Sequence, residues 1–167
     1  MVLKVQIVPA SEHDAGQLAG VVSEANKDVA ERFKLTIENA PRHPSFCTIE
    51  WILADIARGQ RYFVCRESGI IQGCVAFEQA DAATAYLNRL AVLPAYRRRG
   101  IGSALVRHIL DHSAAKGIET VSIGIIAEHD RLRNWYLGLG FREAGTRRFD
   151  HLPFGVMFMH FFYSPCP

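Results

Sequence analysis

The sequence predicts an α/β (α+β) fold. Its centre is a mixed, mostly antiparallel sheet of about seven strands with a central parallel pair, flanked by about four helices. Two observations predict this. Short apolar strand-like runs recur along the chain and are joined by tight turns, as in Arg61 to Glu67, Ile70 to Glu78 and Thr84 to Val92. Between Thr84 to Val92 and the next such run, Glu119 to Ile126, lies a helical stripe of Ile101, Leu105 and Ile109. Strand, helix and strand over that distance imply a parallel pair with a right-handed crossover.

The 167 residues suit a single domain spanning 1–167, and a composition 49% hydrophobic and 22% charged provides for a core rather than disorder. A formal net charge of +2 is too small to imply nucleic-acid binding. Cys47, Cys65, Cys74 and Cys166 form no C-x-x-C pair and no zinc-like spacing, so no metal is expected, and Cys65 and Cys74, in apolar strand-like runs, are expected as buried reduced thiols. No signal-like segment opens the chain, and no apolar run approaches the ~20 residues of a membrane helix. A cytoplasmic protein that does not enter membranes is the expectation.

In chain order, Leu3, Val5 and Ile7 alternate as a strand that Pro9 stops. Ser11 and Asp14 have the spacing of a helix start, and a helix from about Glu12 to Asn26 would bury Leu18, Val21, Val22 and Ala25. Lys27 to Arg32 looks helical, Phe33, Leu35 and Ile37 alternate, and Pro41 and Pro44 mark a loop. Ser45 then caps a helix carrying Ile49, Ile52, Leu53 and Ile56, which Gly59 ends. The three-strand meander follows, with Ser68-Gly69 as a turn and Gly73 marking a bulge. Gly117 suits the end of the helix that begins near Ile101. A short helix from His129 to Leu139 is closed by Gly140, and two last strands run from about Phe141 to Phe149 and Gly155 to Tyr163.

The chemistry concentrates at the strand-to-helix junction Leu90 to Ser103. A glycine loop opening a helix points several backbone N–H groups outward at the positive end of the helix dipole, which suits a phosphate. Gly100 and Gly102 allow close backbone approach, and Arg97, Arg98 and Arg99 add positive charge. A Rossmann-type dinucleotide site is disfavoured. Leu105 stands where the third glycine is needed, and Glu119 falls at the start of its strand rather than the end.

Arg97-x-x-Gly100-x-Gly102, following Leu90-Ala91-Val92-x-Pro94, resembles the acyl-coenzyme A binding segment of the GNAT superfamily of N-acetyltransferases. Asn134-Trp135-Tyr136-x-x-Leu139-Gly140-Phe141 is similar to that family's later motif. Order and spacing fit over roughly residues 3 to 163. The resemblance implies the acyl-CoA N-acyltransferase (GNAT) fold, acetyl-CoA as co-substrate, and transfer of an acetyl or other short acyl group to a primary amine by direct attack in a ternary complex.

It also implies roles by position. The backbone from Arg98 to Ser103, through Ile101, wraps the pyrophosphate. The backbones of Leu90, Ala91 and Val92 hold the pantetheine arm by strand addition, and an N–H of Leu90 or Val92 polarises the thioester carbonyl. Tyr136 is the proton donor to the leaving thiol, and Asn134 a polar contact to the arm. Two positions depart from the family pattern. His129 stands where many relatives have asparagine, and Gly124 where relatives that acetylate protein N-termini have glutamate. The general base is therefore open among Glu78, His129, Asp150, His151 and water.

The acceptor, a small-molecule or peptide amine, is expected to face residues 28–51 and 149–154, with Arg32, Arg42, His43, Trp51, Asp150 and His151 as lining candidates. The last strand is apolar on both faces, with Val156, Phe158 and Phe162 on one and Met157, Met159, Phe161 and Tyr163 on the other. Both faces should be covered, one of them by a second subunit in a homodimer. The alternative to an enzyme is a GNAT-like module that senses acyl-CoA or serves as a scaffold without turnover.

Overall fold

A computed structural model describes residues 4–163. The elements are β1 (Ile7–Pro9), α1 (Ala15–Ala25), α2 (Lys27–Arg32), α3 (Ile49–Ala57), β2 (Arg61–Glu67), β3 (Ile70–Gln79), β4 (Thr84–Val92), α4 (Ile101–Ala115), β5 (Thr120–Ile126), α5 (Asp130–Gly138), β6 (Arg142–Arg148) and β7 (Gly155–Phe162). The strands form one seven-stranded sheet in the order β1-β2-β3-β4-β5-β7-β6. All neighbours are antiparallel except β4 and β5. The expected meander and central parallel pair are both present, and α2 is a six-residue addition to four longer helices.

Local chemistry explains most boundaries. Ser11 and Asp14 form a reciprocal capping box, but around a short 3-10 turn that leads into α1. The face of α1 expected to be buried is buried: Leu18, Val21, Val22 and Ala25 all lie in the core. β1 is shorter than the alternation suggests. Pro9 lies inside it, at an edge strand where a missing N–H is tolerated, and Leu3 falls outside the described residues. Ser45 does not cap α3. It sits in a 3-10 turn held by His43, and Thr48 is the N-cap. The expected stripe on α3 is only partly buried: Ile52 is buried and Ile56 half-buried, while Ile49 and Leu53 are exposed. Phe33, Leu35 and Ile37 alternate without forming a strand, because turns occupy that segment.

Two bulges shape the sheet. Cys65 pairs with Gly73 and Arg66 with Ile71, so Gln72 is the extra residue beside Gly73. On β4, Asn88 pairs with Ala76 and Ala91 with Cys74, so Arg89 and Leu90 together stand opposite Val75. The parallel pairing of β4 with β5 covers only Thr84, Ala85 and Tyr86 on β4. Beyond Tyr86 the two strands part.

Helices cover the sheet unequally. On one face α4 and α5 pack over β2 to β5 and β7, burying Ile101, Leu105, Ile109, Tyr136, Phe141 and Met159. Each such aliphatic side chain contributes about 1.5–3 kcal/mol. On the other face α1 and α3 bury Tyr62, Val64, Cys74, Ala76 and Ala91. A third cluster, Leu35, Ala40 and Ile126 with Phe33 and Phe154, closes the end of β5. The last strand is covered more fully on one face than on the other: Met157 and Met159 are buried, whereas Val156 and Phe158 are half-buried and Phe162 is 57% exposed.

Candidate active site

The separation of β4 from β5 opens a cleft of about 680 Å³. Its floor is Leu90, Ala91 and Val92 of β4, whose edge toward β5 carries no ladder partner there. One wall is the α1–α2 junction, with Ala25, Asn26, Asp28 and Val29. The opposite wall is α5, with Leu132 and Trp135, and the N-terminus of α4 closes the end.

That N-terminus is an array of free donors. Gly100 is the N-cap in the left-handed region (φ 79°), a conformation a β-carbon would strain, and no side chain caps the helix. The first backbone N–H bonded back within α4 is that of Ala104, to the Gly100 carbonyl at 3.0 Å. Among the described residues, the N–H groups from Arg98 to Ser103 have no backbone partner. Gly102 serves a second purpose: a β-carbon there would stand 3.3 Å from Cζ2 of Trp135, so glycine lets α5 close against α4.

The expected cofactor residues divide by what they touch. Leu90, Ala91, Val92, Arg98, Gly100, Ile101, Gly102 and Ser103 line the cleft. Arg97 lines it too, but its guanidinium is engaged elsewhere. It donates to the Val92 carbonyl (3.2 Å), to Asp28 (2.8 Å) and to the Ala25 carbonyl (2.7 Å). Arg99 lies outside the lining, over the ring of Tyr96 at 5.5 Å. Asn134 is exposed and also outside it. Tyr136 is 4% exposed, packed edge-on against Trp135 and Phe141, and burial pushes its hydroxyl pKa up. Trp135, its neighbour in sequence, is the residue of that motif that lines the cleft.

The base candidates differ in what they are free to do. His129 lines the cleft and caps α5, its Nδ1 accepting from the Leu132 N–H at 3.4 Å. Burial, then the charge of Arg32, lowers its pKa, so it is neutral near pH 7. A neutral imidazole accepting at Nδ1 carries its proton on Nε2 and offers the cleft a donor. Glu78 is half-buried and accepts from Asn88 at 2.7 Å. Asp150 and His151 are exposed on the β6–β7 connection.

One cluster escaped the sequence. Asp55, on the inner side of α3, is 1% exposed. Its carboxylate accepts from Arg58, from the Tyr62 hydroxyl (2.6 Å) and from Arg89 Nε (3.0 Å). A charged residue on a short helix reads as solvent-facing; only the arginine in the middle of apolar β4 hinted at a buried partner.

A basic glycine loop at a helix N-terminus, preceded by a strand whose edge is left open, is an arrangement suited to an extended, phosphorylated ligand. The profile of the family described as Acetyltransferase (GNAT) family matches residues 24–141, most of the chain. The chain belongs to that family.

Its curated relatives include [Ribosomal protein bS18]-alanine N-acetyltransferase of Escherichia coli (strain K12), 33% identical over 93 residues, which are 54% of this chain and 62% of that protein. An uncharacterised N-acetyltransferase of Mycobacterium tuberculosis (strain ATCC 25618 / H37Rv) is 31% identical over 84 residues, 50% of this chain and 54% of the relative. The matches thus span about six tenths or less of these relatives' length. Among solved structures, the PaiA N-acetyltransferase from Thermoplasma acidophilum in complex with coenzyme A superposes with a TM-score of 0.82 at 18% identity, over 96% of this chain and 100% of that one. The ribosomal-protein-S18-alanine N-acetyltransferase from Escherichia coli gives 0.76 at 20% identity, over 97% and 96%. At these identities the likeness is one of fold.

Proposed function

We propose that this chain transfers an acetyl group, or another short acyl group, from acetyl-CoA to a primary amine. The observation that supports it most is the continuity of β4, loop and α4: an open strand edge leads straight into a row of unpartnered N–H groups. Coenzyme A has the matching order, an extended arm with two amides followed by a pyrophosphate. The arm bonds the edge of Leu90 to Val92, and the pyrophosphate meets the N–H groups of Arg98 to Ser103 with the charge of Arg98 beside them. His129 Nε2–H is placed to donate to the arm.

The reaction is then direct. The neutral amine attacks the thioester carbonyl, a C–N bond forms and the C–S bond breaks. An N–H at Leu90 stabilises the charge on the carbonyl oxygen. The thiolate takes a proton from Tyr136, and the surplus amine proton passes through water or Glu78 and restores the phenol. The second possibility, an acyl-CoA sensor without turnover, draws on one specific observation: Tyr136 is buried, and no described hydrogen bond uses its hydroxyl.

We assign the chain to the cytoplasm, in keeping with the buried free thiols of Cys47, Cys65 and Cys74. We assign it also to a homodimer that covers the half-open face of β7. A monomer at all concentrations in sedimentation velocity would remove the second assignment. The activity itself is tested by following CoA release from acetyl-CoA across an amine panel, with mass spectrometry of the product. Acceptor-dependent release supports transfer, and CoA binding with no release supports the sensor.

A further inference from the structure

We propose that Arg89 binds a carboxylate carried by the acceptor, which makes the acceptor an amino acid rather than a simple amine. This rests on the acetyl-transfer function proposed above. The pantetheine arm enters at the loop and runs back along β4, so its reacting end falls at Leu90, inside the bulge. Arg89 is the other bulge residue. Its φ of 54° is rare for a residue with a β-carbon, and a bulge with a positive φ re-aims a side chain.

What holds Arg89 leaves its binding end free. Asp55 takes Nε at 3.0 Å from behind, and the ring of Trp51 lies 5.5 Å from the guanidinium carbon. Both carboxylate oxygens of Asp55 are occupied, one by Arg58 and the other by Tyr62 and Arg89. An arginine present only to neutralise Asp55 would face both oxygens with Nε and an Nη together. Here neither Nη of Arg89 has a hydrogen-bond partner among the described residues, and the side chain is 21% exposed. The cluster sets two guanidiniums against one carboxylate, so a positive charge remains. A guanidinium fixed at its back and on its face presents two Nη donors in a fork that matches a carboxylate. Arg89, Trp51 and Asp55 lie outside the lining of the cleft, on the α1–α3 side of the sheet, and Arg89 adjoins Leu90, the bulge residue that does line it.

The test uses matched acceptors with acetyl-CoA, following CoA release: L-methionine against 3-(methylthio)propylamine, L-phenylalanine against phenethylamine, and 4-aminobutyrate against propylamine. The wild-type protein should prefer the acid of at least one pair by about 100-fold in kcat/KM, because a site built for a polar group rejects the analogue lacking it. Arg89→Gln should erase that preference, mainly through KM, while calorimetric CoA affinity is unchanged. Arg89→Lys should restore part of it. If Arg89→Gln does not fold, Arg89→Gln/Asp55→Asn removes both buried charges and should lose the preference likewise. CoA binding without acid preference in any pair, or a preference that survives Arg89→Gln, overturns the role of Arg89 and leaves the cofactor site standing. Failure of CoA to bind at all overturns both.

Discussion

Arg97 donates to the backbone carbonyl of Ala25, 72 residues earlier in the chain, at 2.7 Å. The first arginine of the glycine loop is thus bound to the C-terminal end of α1, where a cation is favoured by the helix dipole, and to Asp28 at the start of α2. It joins two walls of the cleft. Arg97→Gln should therefore lower stability by about 1–2 kcal/mol in urea denaturation, a figure kept small because the Asp28 pair is solvent-exposed. It should also leave the salt dependence of CoA binding nearly unchanged, since that charge is already matched. Arg98→Gln should do the reverse, with little loss of stability and a shallower salt dependence.

Asp55 offers a larger stability effect. Asp55→Ala would strand Arg89 without its buried partner and leave the Tyr62 hydroxyl unpaired. The expected loss is about 3 kcal/mol or more, measured as the shift in urea midpoint at constant slope. A loss under about 1 kcal/mol would mean that solvent reaches the cluster.

Four histidines make stability depend on pH in one direction. His43, His108, His112 and His129 all have lowered pKa values, in each case chiefly through burial. His112 stands against Phe63 and Phe77, and the charges of Lys116 and Arg61 add to its shift. The unfolded chain protonates first, so these groups contribute stability above the unfolded value of about 6.5 and lose it as pH falls through the folded values. The urea midpoint should fall between about pH 7 and pH 5, and His112→Phe should make that fall shallower. A midpoint that holds steady across the range would contradict the burial.

Tyr136→Phe should slow acyl transfer while CoA affinity stays close to wild type. Because burial raises the tyrosine's pKa, wild-type activity should show no basic limb from this residue below about pH 10. Equal turnover in the variant would assign the ring to packing against Trp135 and Phe141.

Much of this was legible in the sequence because its causes are local. Short apolar runs bounded by turn residues mark β2, β3 and β4, a three-and-four stripe marks α4, and a glycine in the left-handed region marks the end of α4 at Gly117. The cleft-forming loop was legible for the same reason: glycines, arginines and the preceding strand are contiguous. What was hidden depends on distant partners. Nothing near Arg97 announces Ala25 and Asp28. Asp55 looks like a surface acid until Tyr62 and Arg89 fold around it. The face that α3 buries was hidden for the same reason: Ile52 and Asp55 meet partners far along the chain, while Leu53 faces out.

The decisive measurement is calorimetric titration of CoA into the wild-type protein and into Gly100→Glu. The variant places a carboxylate among the N–H groups of Arg98 to Ser103, where there is open space, and Gly100→Ala, which strains the left-handed backbone equally without the charge, is the matched control. If those groups hold the pyrophosphate, wild type binds one CoA per chain and the variant weakens binding by about 100-fold or more, with its far-UV spectrum unchanged. Equal CoA affinity in the two proteins, or no binding to the wild type, would contradict the assignment of the loop.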